Sequence, residues 1–139
     1  MHNNAKRWRL RLATLATLVA TLIGGATLVA PGAASADTAA LTRQPLGSAS
    51  YILRFTITND TNASVNGWQL EFDLPPGEFV QGLFAFDIKV TRTDQHFVLQ
   101  NANPVVLNPG RSISTGIFIV GLSWPLNCVT RGTPCTFSP

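Results

Sequence analysis

Apolar and polar residues alternate strictly along several short stretches of the chain. From residue 68 to residue 74, every second side chain is apolar: Trp68, Leu70, Phe72 and Leu74. Successive side chains of a strand point to opposite faces of a sheet, so this alternation predicts a strand with one buried and one solvated face. Trp68 and Phe72 therefore belong to the predicted core. The sequence Pro-Pro-Gly at 75–77 ends the strand.

The same period of two predicts four more strands. They cover approximately residues 51–58, 84–91, 96–100 and 112–120. Phe55 lies on the apolar face of the first of them and joins the predicted core. Asn, Asp, Pro and Gly residues fill the gaps, and no segment after residue 36 has a sustained helical period. This pattern predicts an all-β fold, an antiparallel immunoglobulin-like β-sandwich.

Both ends of the predicted sandwich are less regular. Residues 37–49 show little patterning, and we expect either a frayed lead-in or an edge strand there. The last stretch, residues 121–139, is marked by proline and cysteine, and we expect it to be irregular.

Residues 1–36 have the three parts of a secretory signal peptide. A basic start at 6–11 precedes an apolar stretch at 12–30, and the sequence Ala-Ser-Ala at 34–36 has the small-x-small pattern of a cleavage site. We expect cleavage after Ala36, which leaves residues 37–139 as one domain and directs the protein to the extracellular space. An uncleaved membrane anchor is the alternative, because the apolar stretch is close to the roughly 20 residues that span a bilayer.

Removal of this signal reverses the sign of the net charge. The whole chain carries ten Lys and Arg against seven Asp and Glu, a formal charge of +3. Four of the basic residues lie in the signal, so six basic and seven acidic residues remain, a net charge of −1. We therefore expect no nucleic-acid partner and, after cleavage, no membrane partner. We also expect a monomer.

Cys128 and Cys135 are the only cysteines of the chain. Two nearby cysteines in an exported protein most often pair, and a bridge across so short a loop contributes roughly 2–3 kcal/mol. The alternative is a zinc site, but His96 is the only imidazole after the signal. We therefore predict a disulfide and no metal.

Several short motifs follow one another in a fixed order: Ile57-Thr58-Asn59, Gly67-Trp68, the alternating stretch at 70–74, Pro75-Pro76-Gly77 and, later, Leu107-Asn108-Pro109-Gly110. In these motifs the chain, above all residues 55–80, resembles family 2 carbohydrate-binding modules. In order and spacing, the resemblance spans residues 47–135. It implies a secreted β-sandwich that binds insoluble β-1,4-linked polysaccharide, usually cellulose and sometimes chitin or xylan, without a cofactor.

The resemblance also shows where this chain departs from the family. Cellulose-binding members carry three exposed tryptophans in a flat row, whose rings stack on successive sugars. Here those positions fall near Gly47, at Phe84 and near Asn103, so at most one smaller ring remains. The family usually bridges an N-terminal cysteine to a C-terminal one, whereas no cysteine precedes Cys128 here.

Four residues are candidate sugar contacts: Phe84, Trp124, Asn101 and Asn103. Phe84 is exposed if its strand begins after it, and buried if it shares an inward face with Phe86. Trp124 lies outside every strand pattern, and it either closes the open end of the sandwich or offers an exposed ring. Amide side chains donate to and accept from sugar hydroxyls, although Asn-Ala-Asn-Pro is also typical of a turn.

Glu71 and Asp73 project from one face of a strand, roughly 6.5–7 Å apart. That separation lies within the range of inverting glycosidases, but catalysis also needs a concave, partly desolvated site. Common nucleophile and metalloprotease motifs are missing from the sequence, so we predict solubilising charges and no enzyme. The predicted function is a non-catalytic polysaccharide-binding module. The alternative is a secreted interaction or adhesion protein that kept the sandwich and changed its ligand.

Two N-glycosylation acceptor patterns follow the first predicted strand. They are Asn59-Asp60-Thr61 and Asn62-Ala63-Ser64. Both lie in a predicted turn, so we expect them to be accessible, although turn chemistry alone also explains these residues.

Overall fold

A computed structural model of the chain describes residues 36–139. This part contains twelve strands: β1 (Thr38–Pro45), β2 (Ser50–Thr58), β3 (Val65–Asn66), β4 (Gln69–Asp73), β5 (Phe79–Leu83), β6 (Ile88–Thr93), β7 (His96–Asn101), β8 (Val106–Leu107), β9 (Ser112–Val120), β10 (Leu126–Thr130), β11 (Thr133–Pro134) and β12 (Thr136–Ser138). The predicted secretory signal lies, except for Ala36, outside the described residues. Among the described residues, no helix has the length and apolar character needed to cross a membrane.

Ten of these strands form two five-stranded sheets. Sheet 1 has the order β12-β1-β2-β9-β5, and sheet 2 has the order β11-β10-β4-β7-β6. β3 and β8 form a separate short ladder. Neighbouring strands are antiparallel, except that β1 and β12 run parallel. The predicted all-β antiparallel sandwich is confirmed.

The core lies between the inner faces of the two sheets. Every second side chain of β2 points inward, and buried apolar side chains of β4 and β7 in sheet 2 pack in the same core. The Phe55 and Trp68 rings lie 5.7 Å apart at a tilt, and the Phe72 and Phe97 rings stack at the same centroid distance. Phe55, Trp68 and Phe72 are all buried, and such aromatic pairs add to the burial of their area.

Four of the five predicted strands agree with β2, β4, β7 and β9. The prediction of one strand over residues 84–91 is wrong. β5 ends at Leu83, a turn occupies residues 84–87, and β6 begins at Ile88 in the other sheet. The alternation of Phe84, Phe86, Ile88 and Val90 therefore does not mark one face of one strand, because the first two rings lie in a connection between sheets.

The prediction for residues 37–49 is also wrong. β1 is an interior strand of sheet 1, paired with β2 along its whole length and flanked on its other side by β12. The alternation of apolar and polar residues does not reveal β1, because Arg43 occupies an inward position where the pattern requires an apolar residue. Its guanidinium carbon lies 4.3 Å from the centroid of the Tyr51 ring, so a cation–π contact replaces apolar packing.

Residues 121–139 are more regular than predicted, since they form β10, β11 and β12. Arg131 and Gly132 both have positive φ, 45° and 82°, and they make the tight turn that joins β10 to β11. Strands of five, two and three residues are too short to show a clear alternation. The disulfide between Cys128 and Cys135 is present as predicted, so their sulfurs are not metal ligands.

Asn59 is buried, which contradicts the expectation that both glycosylation patterns are accessible. Its Nδ2 donates to the carbonyls of Leu107 (2.7 Å) and Ala63 (2.8 Å), and its Oδ1 accepts from the N–H of Thr61. The side chain therefore serves as an internal brace between the β2–β3 loop and β8. Asn62 is exposed, as expected.

Candidate functional site

Phe84 lies directly after β5, where the chain leaves sheet 1. Its N–H donates to the carbonyl of Gly116 in β9 at 3.1 Å and so continues the β5–β9 ladder. A Cβ on Gly116 would lie 3.5 Å from Cδ2 of Phe84 and 3.4 Å from Cγ2 of Ile52. Gly116 therefore leaves the space in which the Phe84 ring sits on the outer face of sheet 1. The residue remains 59% exposed.

The three positions of the family's aromatic row follow one another along β9. Gly121 donates to the β1–β2 turn that contains Gly47, which places this turn at the end of β9. Phe84 lies at the middle of the strand, and Asn103 lines a cavity beside Ser114. The seven steps from Ser114 to Gly121 span roughly 23 Å of extended strand. The three positions predicted from the resemblance therefore lie along one strand, and only the central one carries a ring.

Paired hydroxyls continue the outer face of sheet 1 beyond Phe84. Thr56 and Ser114 join their Oγ atoms at 2.8 Å, and Thr58 and Ser112 do the same one step further along. Each hydroxyl both donates and accepts, so these ladders offer hydrogen bonds to a polyhydroxylated ligand that lies on the sheet.

Phe86 is a functional candidate that the sequence interpretation missed. Its relative exposure is 108%, which means that the whole ring stands in water within the turn at 84–87. A phenylalanine ring left in water forgoes roughly 1.5–3 kcal/mol of burial, so a second ring next to Phe84 is available for a ligand. The sequence interpretation missed this exposure because Phe86 alternates in step with Ile88 and was therefore assigned to the same strand.

A cavity of about 300 Å³ opens beside Phe84, and we call it the side cavity. Its lining residues are Trp68, Ala85, Asp87, Asn101, Asn103, Pro104, Val105, Ile113, Ser114 and Thr115. Asn101 shapes one wall, because its Oδ1 accepts from the Trp68 N–H (2.9 Å) and its Nδ2 donates to the Asn103 carbonyl (2.7 Å). Two of the four candidate contacts, Asn101 and Asn103, thus meet at this cavity, next to Phe84.

Trp124 lies elsewhere. Its ring packs edge-on against Phe137 of β12 with centroids 5.3 Å apart, and the Arg43 guanidinium lies 6.0 Å from its centroid. Three strand spacings of about 4.8 Å separate β12 from β9, where Phe84 sits. The structure therefore does not bring Trp124 and Phe84 together, and these contacts support the packing interpretation.

Glu71 and Asp73 lie on the outer face of sheet 2 with His96 between them. His96 Nδ1 is 2.7 Å from Oδ1 of Asp73, and its Nε2 is 3.5 Å from Oε2 of Glu71. Hydrogen bonds from Asn127 and His96 hold the pKa of Asp73 below its ordinary value. The catalytic acid of a glycosidase needs a raised pKa, so the position and the shift both favour a solvated polar cluster.

A two-sheet sandwich that displays an aromatic ring on the outer face of one sheet defines a class of binding module. The chain belongs to the family of cellulose-binding domains, carbohydrate-binding module family 2, whose family model matches residues 47–135. It is therefore a non-catalytic polysaccharide-binding module. The family resemblance in the sequence is confirmed.

Named relatives agree with this assignment. The chain is 37% identical over 137 residues to a cellulose/chitin binding protein of Mycobacterium bovis, a match that covers 94% of each chain. It is 32% identical to chitinase C of Streptomyces lividans, where the match covers 93% of this chain but 21% of the chitinase. The solution structure of the chitin-binding domain of Chi18aC from Streptomyces coelicolor superposes with a TM-score of 0.62 at 28% identity, over 72% of this chain and 94% of that domain.

Proposed function

We propose that the chain is a secreted, monomeric module that binds insoluble β-1,4-linked polysaccharide, either cellulose or chitin, with the outer face of sheet 1. The observation that carries this proposal is the Phe84 ring, seated on Gly116 and 59% exposed at the second position of the family's row. The cellulose/chitin binding protein and the chitinase among its relatives support the choice of polymers.

The surface around Phe84 suits a sugar chain in two ways. The backbone of Phe84 is held by its ladder hydrogen bond and its ring turns about only two side-chain bonds, so little conformational entropy is lost when a sugar stacks on it. The hydroxyl pairs beside it supply hydrogen bonds to sugar hydroxyls. We assign contact roles to Phe84 and Asn103, and a packing role to Trp124.

Sedimentation with microcrystalline cellulose and with chitin tests this assignment. We expect the purified protein to be retained on at least one polymer and Phe84→Ala to lose most of that retention. Leu126→Ala is a matched control, because Leu126 is 53% exposed opposite Asp73 on the outer face of the other sheet. Equal loss in both variants, or retention of Phe84→Ala at the parental level, would overturn the assignment of the site.

Export and oligomeric state have their own tests. Mass spectrometry of the protein from the culture medium is expected to find a chain that starts at Asp37, and size exclusion is expected to give a monomer. A cell-associated chain that keeps residues 1–36 would refute the proposed secretion without touching the binding site.

A further inference from the structure

We propose that the side cavity binds the acetamido group of an N-acetylated sugar unit while a neighbouring unit of the same polymer stacks on Phe84. The inference rests on the proposed function and deepens it, because it makes a polymer of 2-acetamido sugars, the chemistry of chitin, the preferred ligand over an unsubstituted glucan.

The first support is the position of the cavity. Ala85 lines it and follows Phe84 directly, and Ser114 lies two residues along β9 from the seat of the ring, roughly 6.5–7 Å away. The Ser114 hydroxyl is on the same outer face as the ring, bonded to Thr56. A polymer that lies over Phe84 therefore brings its next unit to the cavity entrance.

The second support is the floor of the cavity. Trp68 and Val105 contribute apolar surface, and Ile113 joins them because its side chain shares the inward face of β9. A glucan has only hydroxyls to place here, and they would gain nothing from this floor. The methyl of an acetamido group covers it and leaves water on doing so. The volume, about 300 Å³, is at the small end of ligand sites, which suits a substituent better than a long chain.

The third support is an unpaired strand edge. The Gly116 carbonyl faces β5, since it accepts from the Phe84 N–H. Every second residue of an antiparallel strand turns its N–H and C=O to the same side, so those of Ser114 face the cavity, where β5 has already ended. Outside the strand ladders, no backbone group in residues 36–139 forms a hydrogen bond with them, and the β5–β9 ladder ends at the pair of Leu83 and Ile117. A secondary amide carries one N–H and one C=O that point in opposite directions, so the acetamido group can use one of them to pair with the N–H or the C=O of Ser114.

A titration followed by amide NMR tests the proposal on the unaltered protein. The probes are an N-acetylated chito-oligosaccharide and a cello-oligosaccharide of the same length. We expect the backbone amide of Ser114 and the indole of Trp68 to shift with the acetylated probe alone, which binds roughly tenfold more tightly. Equal affinity for both probes, or an unshifted Ser114 amide with the acetylated one, overturns the proposal.

Filling the cavity gives an independent test. Ala85→Leu is expected to lower retention on chitin roughly tenfold and to leave retention on cellulose unchanged. Ala102→Leu is the matched control, since Ala102 is exposed in the neighbouring loop and does not line the cavity. If Ala85→Leu does not fold, the titration decides. If the parent is retained on neither polymer, the proposed function fails, and the Ser114 shift alone then supports or overturns the cavity assignment.

Discussion

Asp37 Oδ2 lies 2.9 Å from Arg131 Nε, which joins the first residues of the sandwich to the β10–β11 turn. The carboxylate is 1% exposed and the guanidinium 39%. Neither carboxylate oxygen accepts a well-aligned hydrogen bond, so the contact is an ion pair rather than a directed bond. Arg131 Nη2 also donates to the carbonyls of Asn66 (2.8 Å) and Gly67 (2.9 Å). Members of the family usually join the two ends of the domain by a disulfide, and in this chain, which has no cysteine before Cys128, this clamp connects them.

Arg131→Asn is expected to destabilise the fold by roughly 2–3 kcal/mol, because it leaves a buried carboxylate and two carbonyls without their partner. Asparagine tolerates the positive φ of this position better than arginine does, so the turn itself is not weakened. Urea denaturation measures the effect. Arg111→Asn, an exposed change, serves as the control. A midpoint at or above the parental one would show that the clamp contributes nothing.

Gly116→Val is expected to reduce polysaccharide retention about as much as Phe84→Ala. A side chain there would crowd Phe84, Ile52 and the Leu53 carbonyl, which lies 3.2 Å from the position of a Cβ, so the ring must leave its seat. Gly82→Ala in the adjacent strand is the control, because the nearest atom there is 3.8 Å away. Parental retention in a folded Gly116→Val protein would show that the seat is not needed for binding.

The fold is expected to lose stability between pH 10 and pH 12 through Tyr51. Burial, with the carboxylate of Glu78, raises the pKa of Tyr51 to about 12, although Arg43 acts in the other direction. The unfolded chain, with a pKa near 10.0, releases its proton first, so stability present below pH 10 falls as the pH rises through this window, by up to roughly 2–3 kcal/mol.

Comparison of urea midpoints at pH 8 and pH 11 for the parent and Tyr51→Phe checks this. The variant is expected to be less stable by about 1 kcal/mol at pH 8, since it loses the hydrogen bond from the Tyr51 hydroxyl to the Ser123 carbonyl (2.6 Å). It should then lose less than the parent between the two pH values. Identical pH slopes would contradict the role of this phenol.

Asn59→Ala is expected to cost roughly 2–4 kcal/mol of unfolding free energy, because the carbonyls of Leu107 and Ala63 lose their buried donor. Asn62→Ala, three residues away and exposed, is expected to stay within about 0.5 kcal/mol of the parent. Thermal unfolding of the two variants side by side measures the difference. Equal melting temperatures would mean that the buried amide braces nothing.

The sequence predicted those strands in which burial imposes a strict period of two. β2 and β9 are long, and each packs one face in the core, so their alternation is unbroken. It failed for β1, where Arg43 satisfies an inward position by stacking on Tyr51. Periodicity records polarity alone, and it cannot distinguish a stacked cation from a solvated one.

The sequence likewise predicted one part of the candidate site and missed the rest. The family position identified Phe84, but the space for its ring on the outer face of sheet 1 depends on Gly116, which lies opposite in space and 32 residues later in the chain. Phe86 was missed because apolar residues in a connection between sheets imitate a strand. The side cavity could not be predicted, since its walls come from separate loops and the edge of β9.

The parallel pairing of β1 with β12 also determines how the domain bears a mechanical load. A chain that enters along β1 and leaves along β12 is pulled in opposite directions at the two ends of these neighbouring strands. Tension along the chain then acts in shear, and the ladder bonds at Ala40, Leu41 and Thr42 are strained together rather than one after another. If a module bound to a solid polymer is pulled in this way, it unfolds and lets go only after this short parallel ladder breaks.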